Sequence, residues 1–178
     1  QLEQLRQMDS CTVANAIEEF DIRPRNEGFM SPKIKCMFPS LGPMVGYAVT
    51  AVISGKDRPT DNMNVSRMKW FEEIQKIPEP RVLVMHDIDY PNPIGSFWGE
   101  VQSTVHSVMG CVGVITDGGV RDLDEMEGIG FHAFSSEVLV SHAYVHIIDI
   151  GVPVTVGGMT VNQGDIVMGD KHGVVGIP

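Results

Sequence analysis

The sequence predicts a layered α/β fold with two sheets, and three observations predict it. An apolar run over residues 81–85 is followed by a Pro/Gly loop over 87–96, a helix-patterned stretch from about Phe97 to Met109, and a second apolar run over 112–116. Strand, helix and strand in that order make a βαβ crossover, which joins parallel strands through a right-handed connection. Beyond a short helix over residues 121–128 the pattern turns all-β, with Gly-rich turns between short apolar runs. No internal repeat or linker separates the two halves, so they are expected to share one core as a single domain over residues 1–178.

Each element has its own local reason. Asp9 or Ser10 caps a helix on which Val13, Ala14, Ile17 and Phe20 recur at helical spacing. Residues 21–32 hold Pro24, Gly28 and Pro32 and make a loop. Two apolar runs within 33–54 flank Pro39-Ser40-Leu41-Gly42-Pro43, which predicts two strands about a turn, with residues 47–53 buried. A polar loop over 55–62 leads to Val65, Met68, Phe71 and Ile74, the apolar face of a helix that ends before Pro78. Gly128 and Gly130 stop the helix that follows Arg121. Short strands are expected over 131–134, 141–150, 152–156, 160–161, 166–168 and 174–177.

Composition excludes several classes. With 178 residues, 43% hydrophobic and 20% charged, the chain has globular usage and can bury roughly two-thirds of its unfolded surface. The 13 Lys and Arg against 23 Asp and Glu give a net charge of -10, and no basic patch is formed, so direct nucleic-acid binding is not expected. No run of 18 apolar residues and no signal-peptide pattern occurs, which predicts a soluble, cytoplasmic protein without a membrane partner. Cys11, Cys36 and Cys111 are odd in number and widely spaced, so buried thiols are expected rather than disulfides or a zinc site. The methionines, Met63, Met68 and Met109 among them, are expected in the core. Gln1 at the start and Pro178 directly after an apolar run lead to the expectation of trimmed or disordered ends, with a C-terminal helix missing.

Ligands of open α/β sheets gather at the carboxyl ends of parallel strands. One predicted strand end feeds a helix start carrying Gly95 and Gly99, where free N–H groups make a carboxylate or phosphate cradle. The other is Asp117-Gly118-Gly119-Val120-Arg121-Asp122, read as a loop that sets a guanidinium beside a carboxylate. Arg121 suits a bidentate grip on a substrate carboxylate, and Asp122 suits a hard divalent cation. Together these features fit a small 2-oxo acid bound with Mg²⁺ or Mn²⁺, whose Lewis acidity stabilises the enolate shared by retro-aldol cleavage and β-decarboxylation.

Gly99-Glu100-Val101-Gln102, then Gly113-Val114-Ile115-Thr116-Asp117-Gly118-Gly119-Val120-Arg121-Asp122 with Glu125 completing R-D-x-x-E, resemble the RraA-like family. Gly151-Val152-Pro153-Val154, Gly157-Gly158, Gly164-Asp165 and Asp170-Lys171-His172-Gly173-Val174-Val175 extend that resemblance over nearly the whole chain. The family holds 4-hydroxy-4-methyl-2-oxoglutarate aldolases and inhibitors of ribonuclease E. The resemblance implies a swivelling β/β/α domain assembled as a homotrimer or hexamer with sites near subunit contacts. It implies that the stretch Gly99, Glu100, Val101 and Gln102 binds substrate through its backbone, that Arg121 binds the substrate carboxylate, and that Asp122 binds the metal. Many aldolase members carry Leu-Leu where this chain has Val101-Gln102, and an acid from a neighbouring subunit's C-terminal extension, not in this sequence, often supports their metal. The expected function is therefore a divalent-metal-dependent lyase that releases pyruvate from a 2-oxo dicarboxylic acid. The alternative is a non-catalytic regulator that docks on a ribonuclease.

Plainer roles compete at several positions. Asp122 suits the first turn of its own helix through the dipole, and Arg121 suits an ion pair with Asp117, Glu100 or Glu125. His142 and His146 share a strand face but lack a third metal ligand, and His86, Asp87 and Asp89 suit hydrogen bonding at a strand end. His172 sits in a hairpin turn, and Asp124 and Glu125 suit a solvated helix face. A methyltransferase reading lacks the GxGxxG that nucleotide-type cofactors need.

Overall fold

A computed structural model describes residues 1–60 and 64–178. In chain order it contains α1 (Leu2–Leu5), α2 (Ser10–Glu19), β1 (Lys35–Cys36), a 3-10 turn (Pro39–Leu41), β2 (Met44–Ser54), α3 (Arg67–Gln75), β3 (Arg81–Asp87), β4 (Ser96–Trp98), α4 (Glu100–Val108), β5 (Cys111–Val120), α5 (Leu123–Ile129), β6 (His132–Val138), β7 (His146–Ile150), β8 (Val154–Val156), β9 (Met159–Val161), β10 (Ile166–Asp170) and β11 (Gly173–Ile177). The end of the loop predicted over 55–62, and Met63, lie outside the described residues.

The predicted βαβ unit is the centre of a nine-stranded mixed sheet ordered β1-β6-β5-β3-β2-β10-β11, with β4 on β5 and β7 on β2. β6, β5, β3 and β2 run parallel, and β1, β7, β10 and β11 add antiparallel pairings. The hairpin β8-β9 forms the second sheet. Strand alternation sends Leu83 and Met85 of β3 to one face and Val82 and Val84 to the other. The first face buries Trp70, Ile74, Trp98, Met126 and Phe131 beneath α3, α4 and α5; the second packs against Val154, Val156, Met159 and Val161 of the hairpin. Each large side chain so buried contributes roughly 2–3 kcal/mol. No helix among the described residues is long and apolar enough to cross a membrane.

Several expectations are corrected. The strand predicted over 112–116 runs from Cys111 to Val120, so Asp117-Gly118-Gly119 lies inside β5, with Asp117 buried, instead of in a loop. Phe97 and Trp98 belong to β4, and the helix begins only after Gly99. Residues 141–145 are irregular, so only the second half of the strand predicted over 141–150 forms, as β7. The two strands expected about Pro39–Leu41 exist, but β1 pairs with β6 and β2 with β3, so they form no hairpin. Phe20 and Met68 are exposed, because the buried faces of α2 and α3 are Ser10, Val13 and Ile17, and Trp70 and Ile74. All three cysteines are free, yet only Cys111 is buried, and Cys11 is exposed.

The carboxyl ends of β3 and β5 are tied by buried polar bonds. Asp117 accepts from His86 Nδ1 at 2.8 Å and from the Asp87 amide at 2.7 Å. Asp89, on the loop that follows, accepts from Ser54 Oγ and from the amides of Gly55 and Lys56. Asp87 is buried, and its Oδ2 has no hydrogen-bond partner among the described residues. Its burial, with the Asp89 and Asp117 carboxylates nearby, pushes its pKa from 3.8 to about 6, against a hydrogen bond from the Asp89 amide. A folded-state pKa raised above the unfolded one gives stability that is complete below about 4 and lost as pH rises through about 6. Asp87→Asn removes that loss, so its Tm relative to the parent protein should be higher at pH 7.5 than at pH 5; a difference independent of pH would contradict the assignment.

Candidate active site

The end of β5 and the start of α4 meet at one cavity of about 500 Å³. Gly99, Val101, Gln102, Arg121 and Asp122 all line it, so five of the six predicted site residues are brought together. Glu100 contributes its backbone: its amide donates to Asp122 Oδ2 at 3.1 Å, while its side chain is exposed.

Asp122 holds a left-handed backbone conformation, φ 53° and ψ 50°, which costs a non-glycine residue about 1–3 kcal/mol where surrounding structure enforces it. It stands at the N-cap of α5, but its side chain makes no cap bond there. The left-handed turn instead sends the carboxylate across to the N-terminus of α4, whose dipole favours negative charge. The plain reading of Asp122 as an anion on its own helix is thereby replaced by one on the neighbouring helix. Arg121 follows the same turn: its amide donates to the Trp98 carbonyl at 3.0 Å, and its Nε lies 3.5 Å from Asp122 Oδ2. Asp117, Glu100 and Glu125 make no ion pair with it among the described residues.

Gly99 is what lets this happen. A Cβ at that position would collide with Asp122 Oδ2 and stand 3.1 Å from Arg121 Cγ. Its carbonyl accepts from the Ser103 amide and from Ser103 Oγ, which fixes the first turn of α4. The amides of Val101 and Gln102, in that first turn, have no acceptor inside the helix and form the rest of the cradle.

Trp70, which lines the cavity, belongs to a buried aromatic cluster behind it. Trp70 Nε1 donates to His106 Nε2 at 2.8 Å, and His106 Nδ1 donates to the Gln102 carbonyl at 2.7 Å, so α3 and α4 are tied through a neutral imidazole. Burial pushes the His106 pKa down to about 4, which keeps that acceptor nitrogen available. Trp98 packs edge-on to His106 and stacks on Phe131.

The cavity also holds residues for which the sequence made no site claim or a different one. Arg67 and Phe71 of α3 line it, as do His142, Val145 and His146. Arg67 was hidden as an ordinary surface position at a helix start. The two histidines were paired by a strand spacing that does not exist, since Ala143 turns the chain at φ 47° between them. His86, Asp87 and Asp89 stay outside the cavity, Asp124 and Glu125 are exposed, and His172 occupies the β10-β11 turn.

For a divalent cation, Asp122 offers Oδ1, which makes no hydrogen bond among the described residues. No group of three or more His, Cys, Asp or Glu converges among the described residues. A site with one carboxylate suits Mg²⁺ or Mn²⁺, which keep several water ligands, and does not suit zinc, which takes several nitrogen or sulfur donors.

The fold and the left-handed Arg-Asp turn define a mixed α/β protein in which an arginine, an aspartate and the start of a helix line one cavity at the carboxyl edge of a parallel sheet. The chain belongs to the RraA-like family, described as Aldolase/RraA, which it matches over residues 10–175. Among curated relatives it is 31% identical over 71 residues to a protein of Halalkalibacterium halodurans provisionally named 4-hydroxy-4-methyl-2-oxoglutarate aldolase. It is 33% identical over 79 residues to an uncharacterised protein of Methanocaldococcus jannaschii. These matches cover 39% and 44% of this chain, and only 34% and 38% of those relatives. Among solved structures, Streptomyces coelicolor RraAS2, described as an unusual member of an RNase ES inhibitor family, superposes with a TM-score of 0.76 at 20% identity, covering 99% of this chain and 84% of that one. A Geobacillus kaustophilus protein described as an S-adenosylmethionine:2-dimethylmenaquinone methyltransferase does so at 0.71 and 16%, covering 95% and 94%. At such identities the likeness shows the fold alone.

Gly99→Ala should cost about 1–3 kcal/mol by overpacking. If the clash with the Asp122 carboxylate is the cause, adding Asp122→Ala should recover part of that loss in urea unfolding; strictly additive costs would contradict it.

Proposed function

We propose that this protein is a divalent-metal-dependent lyase that cleaves a C–C bond of a small 2-oxo dicarboxylic acid and releases pyruvate. The observation that carries this reading is that Arg121 and Asp122, neighbours in the chain, line one cavity with the N-terminal turn of α4. The provisional name of the Halalkalibacterium relative supports it, as does the family description.

Arg121 holds the carboxylate next to the 2-oxo group through its fork of donors, and the free amides of Val101 and Gln102 share that charge. Arg67, on the α3 wall of the same cavity, supplies a second cation for the distal carboxylate. Asp122 would hold Mg²⁺ or Mn²⁺, which when bound supplies Lewis-acid polarisation of the 2-oxo oxygen. The aromatic wall of Trp70, Phe71 and Phe97 limits water around the reacting carbons and strengthens each polar contact. With the substrate so held, the bond between C3 and C4 breaks and its electron pair stays with the pyruvate unit as an enolate.

The test is pyruvate release from oxaloacetate and from 4-hydroxy-4-methyl-2-oxoglutarate, with Mg²⁺ and with EDTA. Turnover should require the metal, and Asp122→Ala should lower kcat/KM about a hundredfold or more. No turnover of either substrate, turnover indifferent to EDTA, or an Asp122→Ala variant at parental rate would each defeat the proposal.

A further inference from the structure

We propose that His146 is the catalytic residue that takes and returns the proton in this cavity, a role that rests on the lyase reading above. His146 opens β7, is 8% exposed, and lines the cavity with Arg121 and Asp122. Its Nδ1 lies 2.8 Å from the Tyr144 carbonyl oxygen. A carbonyl only accepts, so Nδ1 carries the proton of the neutral ring and Nε2 keeps the basic lone pair. Among the described residues that Nε2 makes no hydrogen bond.

The other five histidines do not match this arrangement. His106 spends both nitrogens on Trp70 and Gln102, His86 is tied to Asp117 outside the cavity, His132 is buried elsewhere, and His172 sits in a hairpin turn. His142 shares the cavity and donates from Nδ1 to the Ala143 carbonyl at 2.9 Å. It is exposed on the irregular segment, whereas His146 is fixed in the ladder opposite Ser54 of β2. A general base acts best when its donor and acceptor geometry is set beforehand.

In retro-aldol cleavage, His146 Nε2 removes the proton of the 4-hydroxyl. The O–H pair becomes the new C4=O bond, the C3–C4 bond breaks, and its electrons form the C2=C3 enolate. The imidazolium then gives the same proton to C3, which becomes the methyl group of pyruvate, and the ring returns to neutral. In decarboxylation of oxaloacetate no base is needed, because CO₂ leaves with the C3–C4 bond. The neutral His146 takes a proton from water at Nε2 and passes it to C3, and the hydroxide left behind is taken up by CO₂ as bicarbonate.

The test uses the whole protein with Mg²⁺, following pyruvate release from 4-hydroxy-4-methyl-2-oxoglutarate and, by NMR, exchange of the pyruvate methyl protons in D₂O. His146→Gln should lower both rates about a hundredfold or more with KM little changed, and added imidazole should restore part of the exchange. His172→Gln, in the β10-β11 turn outside the cavity, should stay within a few-fold of the parent. A ¹⁵N-histidine spectrum of the unmodified protein reads the tautomer directly and should show His146 protonated at Nδ1 and bare at Nε2. His146→Gln at near-parental rates, a loss that appears in KM alone, or a proton on Nε2 of the neutral ring would overturn the proposal while leaving the lyase reading standing. A parent protein inert in both assays would overturn both.

Discussion

The whole site depends on one turn of backbone. At Asp122 the chain adopts a left-handed conformation that costs free energy for an aspartate, and that turn carries the carboxylate away from its own helix to the first amide of α4. The approach is possible only because Gly99 has no side chain there. Asp122, Gly99 and the Glu100 amide are thus one unit, and Arg121 is aimed by the same turn. Strain of this kind persists where surrounding structure enforces it, here the β4-β5 pairing on one side and the Ser103 bonds to the Gly99 carbonyl on the other.

The rigid frame behind that turn explains how a shallow sequence motif becomes a preorganised pocket. The bond from Trp70 to a neutral His106 in the last turn of α4, with His106 bonded in turn to the Gln102 carbonyl, ties α3 to α4. Arg67 and Phe71 on α3 are thereby held opposite the cradle, so the cationic residues and the hydrophobic wall come from different elements but share one fixed geometry. Buried networks of this sort define a geometry because each polar atom has only one arrangement that satisfies it.

The parallel centre of the sheet and the pairing of Arg121 with Asp122 beside a helix start were legible in the sequence, since both follow from local patterns: alternation of strand and helix, and glycine before a run of helix formers. The exact end of β5 was not. Asp117-Gly118-Gly119 has the composition of a turn, but its glycines serve close packing inside a strand: a Cβ on Gly118 would meet the Asp87 carboxylate, and one on Gly119 would meet Leu139. His142 and His146 were likewise misplaced, because their facing depends on the left-handed Ala143, which no periodicity encodes. Arg67 gave no signal at all; its place in the cavity arises only when α3 is laid against α4.

The central claim is that the Asp122 carboxylate, aimed by its strained turn, anchors a divalent cation inside the cavity that Arg121 lines. Electron paramagnetic resonance of Mn²⁺ titrated into the protein tests it without reference to turnover. The account predicts one bound Mn²⁺ per chain, displaced by Mg²⁺ and lost in Asp122→Asn, with a spectrum that changes when pyruvate is added. Unaltered Mn²⁺ binding in Asp122→Asn, or a bound-ion spectrum blind to pyruvate, would contradict it.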